Sequence, residues 1–151
     1  MGTKHRGPAE ERRALDAYVK FVRAYDTIDS RLRNALREEG LTVSQLGVLE
    51  ALMHIGPMVQ SELAEKLLTS PSNLTTVLDN LERDGLVRRE RSTEDRRQVE
   101  VSLTADGREL IEDVFPRHAE RITRLFGALD PEDQDRLGSL CRKLGRGAAS
   151  E

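Results

Sequence analysis

Between residues 74 and 103 the apolar residues change their spacing, and this restricts the fold more than any other feature of the chain. Leu74, Val77, Leu78 and Leu81 recur at i, i+3, i+4 and i+7, which is one stripe of an α-helix. Ser70 and Pro71 open that helix as N-cap and first helical residue, where the missing proline N–H costs nothing. Gly85 closes it at the left-handed position beyond the C-cap. Residues 86–91 then read as a strand. Val99-Glu100-Val101-Ser102-Leu103 alternates strictly, as a half-buried strand does. The polar residues 92–98 between them form the tip of a β-hairpin that follows directly on a helix.

Upstream, the pattern is helical throughout. Residues 1–9 are small and polar, and disorder is expected there. Over residues 10–38, Leu15, Tyr18, Val22, Tyr25, Ile28, Leu32 and Leu36 form one stripe of a long helix that stops at Gly40. Thr42-Val43-Ser44-Gln45 has the form of a capping box and opens a second helix, with Leu46, Leu49, Leu52 and Met53 facing inward. A short helix over residues 60–67 follows, with Val59 where a capping Ser or Thr is expected. Downstream, Thr104 caps a second long helix carrying Ile111, Val114, Phe115, His118, Ile122, Leu125 and Leu129, with Pro116 expected to kink it. Asp130 and Pro131 open a final helix with Leu137, Leu140, Cys141 and Leu144 inward. The chain is therefore mainly α with a small β-hairpin wing: a winged helix-turn-helix over residues 41–104, preceded by a long helix and followed by helices over residues 105–146.

Composition agrees and excludes several classes. The 151 residues include 21 leucines but only five aromatics, which favours helix packed on helix over a β-sandwich. The longest stretch without a charge, residues 67–78, is twelve residues, far short of the roughly 20 apolar residues of a membrane span. The charged N-terminus is unlike a secretory signal, and the single cysteine, Cys141, fits a reducing cytoplasm. His5, His54 and His118 are isolated from any metal-ligand spacing, and no glycine-rich phosphate loop is present. No catalytic group, metal or cofactor is expected. His118 and Cys141, both on apolar stripes, read as core or interface residues.

The net charge of −3 hides an uneven distribution. Residues 83–97 hold six arginines against four acids, a net of +2, which leaves −5 for the remainder. The helix that starts at Ser70 carries Ser72, Asn73, Thr75 and Thr76 near its beginning. These are short side chains able to donate to and accept from base edges or phosphates. They are also poor helix formers, so an ordinary solvated face would more often use Glu, Lys or Arg. At the hairpin tip, Arg96 and Arg97 are placed to reach a minor groove, where negative potential attracts arginine. Asp95 cannot favour DNA by its charge and is expected to hold an arginine through a bidentate pair. Ser70, Arg89 and Arg91 complete the set of candidate DNA-contacting residues.

These motifs together resemble the multiple-antibiotic-resistance regulator (MarR) family. Those that carry the likeness are Glu62-Leu63-Ala64, Ser70, Leu74-Thr75, Leu81-Glu82-Arg83-Asp84-Gly85-Leu86-Val87, Asp95-Arg96-Arg97 and Leu103-Thr104-Ala105-Asp106-Gly107. Val59 departs from the Thr or Ser often found at its position. The resemblance implies a transcription regulator, expected to be a repressor, that binds a pseudo-palindromic double-stranded DNA operator as a homodimer through its N- and C-terminal helices. It also implies release by a small aromatic or anionic effector held where the first, second and fifth helices meet, which here points to Tyr18, Tyr25, Met53 and His54. The terminal stripes support the dimer independently, since a winged domain of this size cannot cover them alone. A winged helix that binds proteins and not DNA is the alternative, and the Ser/Asn/Thr face with Arg96 and Arg97 favours DNA.

Overall fold

The computed structural model describes residues 4–150. Helix α1 (Ala9–Glu38) is followed by α2 (Val43–Ile55), strand β1 (Met58–Val59), α3 (Gln60–Lys66), α4 (Pro71–Arg83), β2 (Val87–Arg91), β3 (Val99–Leu103), α5 (Ala105–Phe126) and α6 (Pro131–Ala149). Part of the stretch expected to be disordered, residues 1–3, lies outside the described residues, and Ala9 is already helical.

The local signals act as their chemistry dictates. In the box opening α2, the Gln45 amide donates to Thr42 Oγ1 at 3.1 Å and the Thr42 amide donates to Gln45 Oε1 at 3.0 Å. Val59 offers α3 no side-chain cap. Gly85 takes φ +74°, a left-handed conformation that ends α4 at little steric cost. Helix α5 runs through Pro116 without a break and stops at Phe126, which leaves Leu129 in the connection beyond it.

One element departs from the sequence pattern. Met58 and Val59 pair antiparallel with Val101 and Glu100, so β3 is the central strand of a three-stranded sheet ordered β1-β3-β2. A two-residue strand is too short to show any period. The core gathers Leu46, Leu49 and Leu52 of α2, Leu63 of α3, Leu74, Leu78 and Leu81 of α4, and Val87, Val101, Ile111 and Val114. Helix α1 contributes only Leu36 as a fully buried residue.

The expected inward face of α6 is corrected. No residue of α6 is buried, Leu140 and Leu144 are 64% and 60% exposed, and Cys141 is exposed. The stripe exists, but one chain provides nothing for it to pack against. His118, by contrast, is buried, yet its Nδ1 has no hydrogen-bond partner among the described residues.

The start of α5 is fastened to the end of α4 at a single point. Thr104 Oγ1 donates to the Gly85 carbonyl at 2.6 Å and accepts from the Gly107 amide at 3.0 Å, and the Thr104 amide donates to the Leu86 carbonyl at 3.1 Å. Gly107 lies so close that an added Cβ would sit 1.9 Å from the Leu86 oxygen. Gly107→Ala should therefore cost about 3 kcal/mol, the upper end for overpacking, because the obstacle is backbone and cannot rotate away. Gly47→Ala, whose Cβ would meet only Leu67 Cδ2 at 3.6 Å, should be neutral or slightly stabilising. Thermal melts of the two variants check this.

Candidate nucleic-acid interface

Helix α4 buries Leu74, Leu78 and Leu81 and leaves the other side of its first turns open. Ser70 Oγ accepts from the Asn73 amide at 3.1 Å and lies 3.3 Å from Ser72 Oγ. Ser70 is thus committed to the cap. Thr75 is also engaged: it donates to the Pro71 carbonyl at 2.9 Å and accepts from Gln60 Nε2 at 3.2 Å, which ties α4 to α3. Thr76 donates to the Ser72 carbonyl at 3.2 Å. Ser72, Asn73 and Thr76 are exposed, and the Asn73 carboxamide has no partner among the described residues.

Register places the arginines of the hairpin in different surroundings. Arg89 stands opposite Val101 in the middle of the hairpin ladder. Its Nη2 donates to Asp79 Oδ1 at 2.6 Å and Glu82 Oε1 at 3.0 Å, while its amide donates to Glu82 Oε2 at 2.9 Å. The side chain is only 20% exposed. Burial works against the Arg89 charge, but hydrogen bonds to Glu82 and Asp79 outweigh it and raise its pKa. The same bonds lower the pKa of Glu82. Arg89 therefore props the hairpin on α4 with its guanidinium already occupied.

At the tip the turn is built by side chains. Ser92 Oγ accepts from the Glu94 amide at 3.2 Å, and Asp95 Oδ1 accepts from the Arg97 amide at 3.0 Å and from Arg97 Nε at 3.3 Å. Asp95 Oδ2 receives Arg97 Nη2 at 3.5 Å, so the carboxylate aligns the guanidinium through two oxygens. Arg97 remains 92% exposed. Arg91 Nη1 donates to the Arg96 carbonyl at 3.3 Å and so steadies the tip, while the Arg96 side chain is exposed. Two arginines are thereby presented to solvent on an ordered turn.

The residues read as an effector site fall into two settings. Tyr18 and Tyr25 are 63% and 56% exposed on α1. Met53 packs against the core, and the His54 ring meets Phe115 of α5 edge-on at 5.0 Å. Gln60, Asp79 and Glu82 were not legible as part of this face. Their partners are 15, 10 and 7 residues away and meet only through the helix-turn-helix and the hairpin register.

The MarR family model matches residues 41–99. The HTH-type transcriptional regulator YkoM of Bacillus subtilis is 36% identical over 136 residues, spanning 90% of this chain and 88% of its own. The chain belongs to the MarR family. Among solved structures, the MarR regulator Sco3205 of Streptomyces coelicolor, in complex with DNA, superimposes with a TM-score of 0.85 at 26% identity, covering 97% of this chain and 92% of that one. Bordetella bronchiseptica BpsR, whose DNA binding is regulated by 6-hydroxynicotinic acid, gives 0.77 at 26% identity, covering 85% and 98%. The chain is a DNA-binding transcriptional regulator of this family with a winged helix-turn-helix, and no helix among the described residues is long and apolar enough to cross a membrane.

Because Arg89 spans strand and helix, Arg89→Ala should lower stability by about 1–2 kcal/mol in urea denaturation. Combined with Glu82→Gln, the losses should be less than additive, since both remove the same bonds. The sign in pH follows from the lowered pKa of Glu82. Its contribution is present above the ordinary carboxylate value of 4.5 and is lost as pH falls through the depressed one. Glu82→Gln should flatten the stability profile in that acidic range.

Proposed function

We propose that the protein is a homodimeric repressor that grips a pseudo-palindromic operator with α4 in the major groove and the β2–β3 tip in the adjacent minor groove. The observation that carries this reading is the open Ser72, Asn73 and Thr76 face of α4, on the same domain as two solvent-presented arginines at an ordered tip. Ser70 and Thr75 serve this surface indirectly by holding the helix start, and Asp95 by aligning Arg97. Arg91 steadies the tip, and Arg89 acts as a strut. The DNA complex of Sco3205 supports DNA binding by this fold.

Dimerisation is supported by the apolar surface left open on the terminal helices: Tyr18, Phe21 and Tyr25 of α1 with Leu140 and Leu144 of α6. An obligate interface commonly buries more than about 2,000 Å² and resembles a divided core. A small aromatic or anionic effector near Tyr18, Tyr25, Met53 and His54 would release DNA by favouring a dimer whose two α4 helices no longer match the operator spacing. The ligand regulation of BpsR supports this part of the reading.

Division of labour gives the test. Ser72→Ala, Asn73→Ala or Thr76→Ala should relax specificity at defined operator positions, at about 1–3 kcal/mol for each base-reading group removed. An Arg96→Ala, Arg97→Ala protein should bind all sequences more weakly, with the salt slope reduced by about one unit for each phosphate no longer neutralised. Its melting temperature should barely move. Gel-shift titrations over a range of salt would sink the wing assignment if that variant kept full affinity and an unaltered slope.

Sedimentation tests the dimer. The protein should sediment as a dimer at micromolar concentration, and Leu140→Glu should abolish that association and lower thermal stability together. A folded wild-type monomer under these conditions would rule the dimer out.

A further inference from the structure

One cavity lies outside the DNA-contacting surface and takes its character from charge. It opens between α1 and α5, has a volume of about 310 Å³, and is lined by Arg31 and Leu32 of α1 with Arg121, Arg124 and Leu125 of α5. Among the described residues, Arg31 and Arg124 have no ion-pair partner, and Glu39 is the acid that reaches Arg121, accepting from its Nη2 at 2.7 Å. Arg31 and Arg124 therefore bring two guanidinium groups without an ion-pair partner to a space walled partly by leucine, beside an Arg121 already paired with Glu39.

A second observation points the same way. Among the described residues, Arg121 Nη1 is buried without a hydrogen-bond partner, and so are Glu39 Oε2 and His118 Nδ1. Buried polar atoms are ordinarily satisfied, and of these three only Arg121 Nη1 is both a donor and part of the cavity lining, so it is the one that calls for an acceptor there. Arg121 is held charged by Glu39 despite partial burial, and a spare guanidinium N–H that donates most strongly to an anion completes the chemistry. Neighbouring Arg117 does not compete, because Asp113 and Glu39 already occupy it.

We propose that this cavity binds a small organic dianion, with Arg31, Arg121 and Arg124 taking its charge and Leu32 and Leu125 its carbon skeleton. The two guanidinium groups without an ion-pair partner match a doubly charged ligand, and the volume is at the small end of the range for ligand pockets. The shared chemistry covers dicarboxylates and phosphate esters. A bound dianion adds a bridge between α1 and α5, the helices that connect the winged domain to the chain's two ends. The proposal concerns binding alone, so it stands or falls whatever the protein does with DNA.

Calorimetric titration of the full chain with succinate and with inorganic phosphate, against acetate at matched ionic strength, tests it. Saturable binding of one or both dianions and none of acetate is expected, and the arm that binds identifies the carboxylate or the phosphate form. Arg124→Gln and Arg31→Gln, both at exposed positions, should each weaken binding at least about tenfold, as loss of a charged hydrogen bond implies. Arg124→Lys should retain part of it. Absence of saturable binding overturns the proposal. So does binding that survives both Gln variants, or that disappears only in Arg96→Ala, Arg97→Ala, which would place the anion on the DNA-contacting surface. Loss of the dimer in the Gln variants with no anion binding by wild type would likewise overturn it, because the arginines would then be meeting a partner's acids.

Discussion

The Leu86 carbonyl is where three parts of the molecule are joined. It accepts the Thr104 amide at 3.1 Å, while Thr104 Oγ1 reaches the Gly85 carbonyl at 2.6 Å and Gly107 packs against the same peptide without a side chain. The end of α4, the two strands of the wing and the first turn of α5 therefore share one set of backbone bonds. A displacement of α5 cannot leave the wing behind, since each bond would lose its partner in a place where an unmade one is costly.

Charge on the wing is sorted by the same packing. Arginines on the hairpin would repel one another if all were presented together, and the fold turns one of them inward against the acids of α4. Arg89 is held by Asp79 and Glu82 of α4, so it adds mechanical coupling in place of surface potential. Arg96 and Arg97 stay exposed, the second aligned by Asp95. The ion pairs at the exposed tip contribute little to stability by themselves, since water screens them. Their effect is to narrow the directions in which a cation can point. At α4, Ser70 is committed to the cap and Thr75 to Gln60 of α3, while Ser72, Asn73 and Thr76 are exposed and bonded only within their own helix start.

The terminal helices answer to a different constraint. Helix α1 buries one residue fully and α6 none, although both carry regular apolar stripes. Such faces are unfavourable in water, and a dimer would remove them from it. Between α1 and α5, where the chain does close on itself, the junction is polar: Glu39 bridges Arg117 and Arg121 at 3.1 and 2.7 Å. A charged joint between helices accepts a guest anion more readily than an apolar seam, because its hydrogen bonds can be shared.

Much of this could be read from the chain because it depends on neighbours in sequence. Caps at Thr42, Ser70, Thr104 and Asp130, the left-handed glycines at 40 and 85, and the strand at Val99–Leu103 all follow from interactions within about four residues. The polar face of α4 and the tip of the wing were legible for the same reason. The fold alone decided what depends on pairing between distant segments: that Met58 and Val59 complete the sheet, that Arg89 turns inward, and that Glu39 meets α5 from some 80 residues away. It also decided that the stripe of α6 stays uncovered within the single chain. A periodic pattern states that a face is apolar but cannot say which surface covers it, and an arginine's spacing cannot say whether its partner will be a phosphate or a carboxylate. Those choices are made by geometry, since the energy of an interaction depends on the distance that only packing sets.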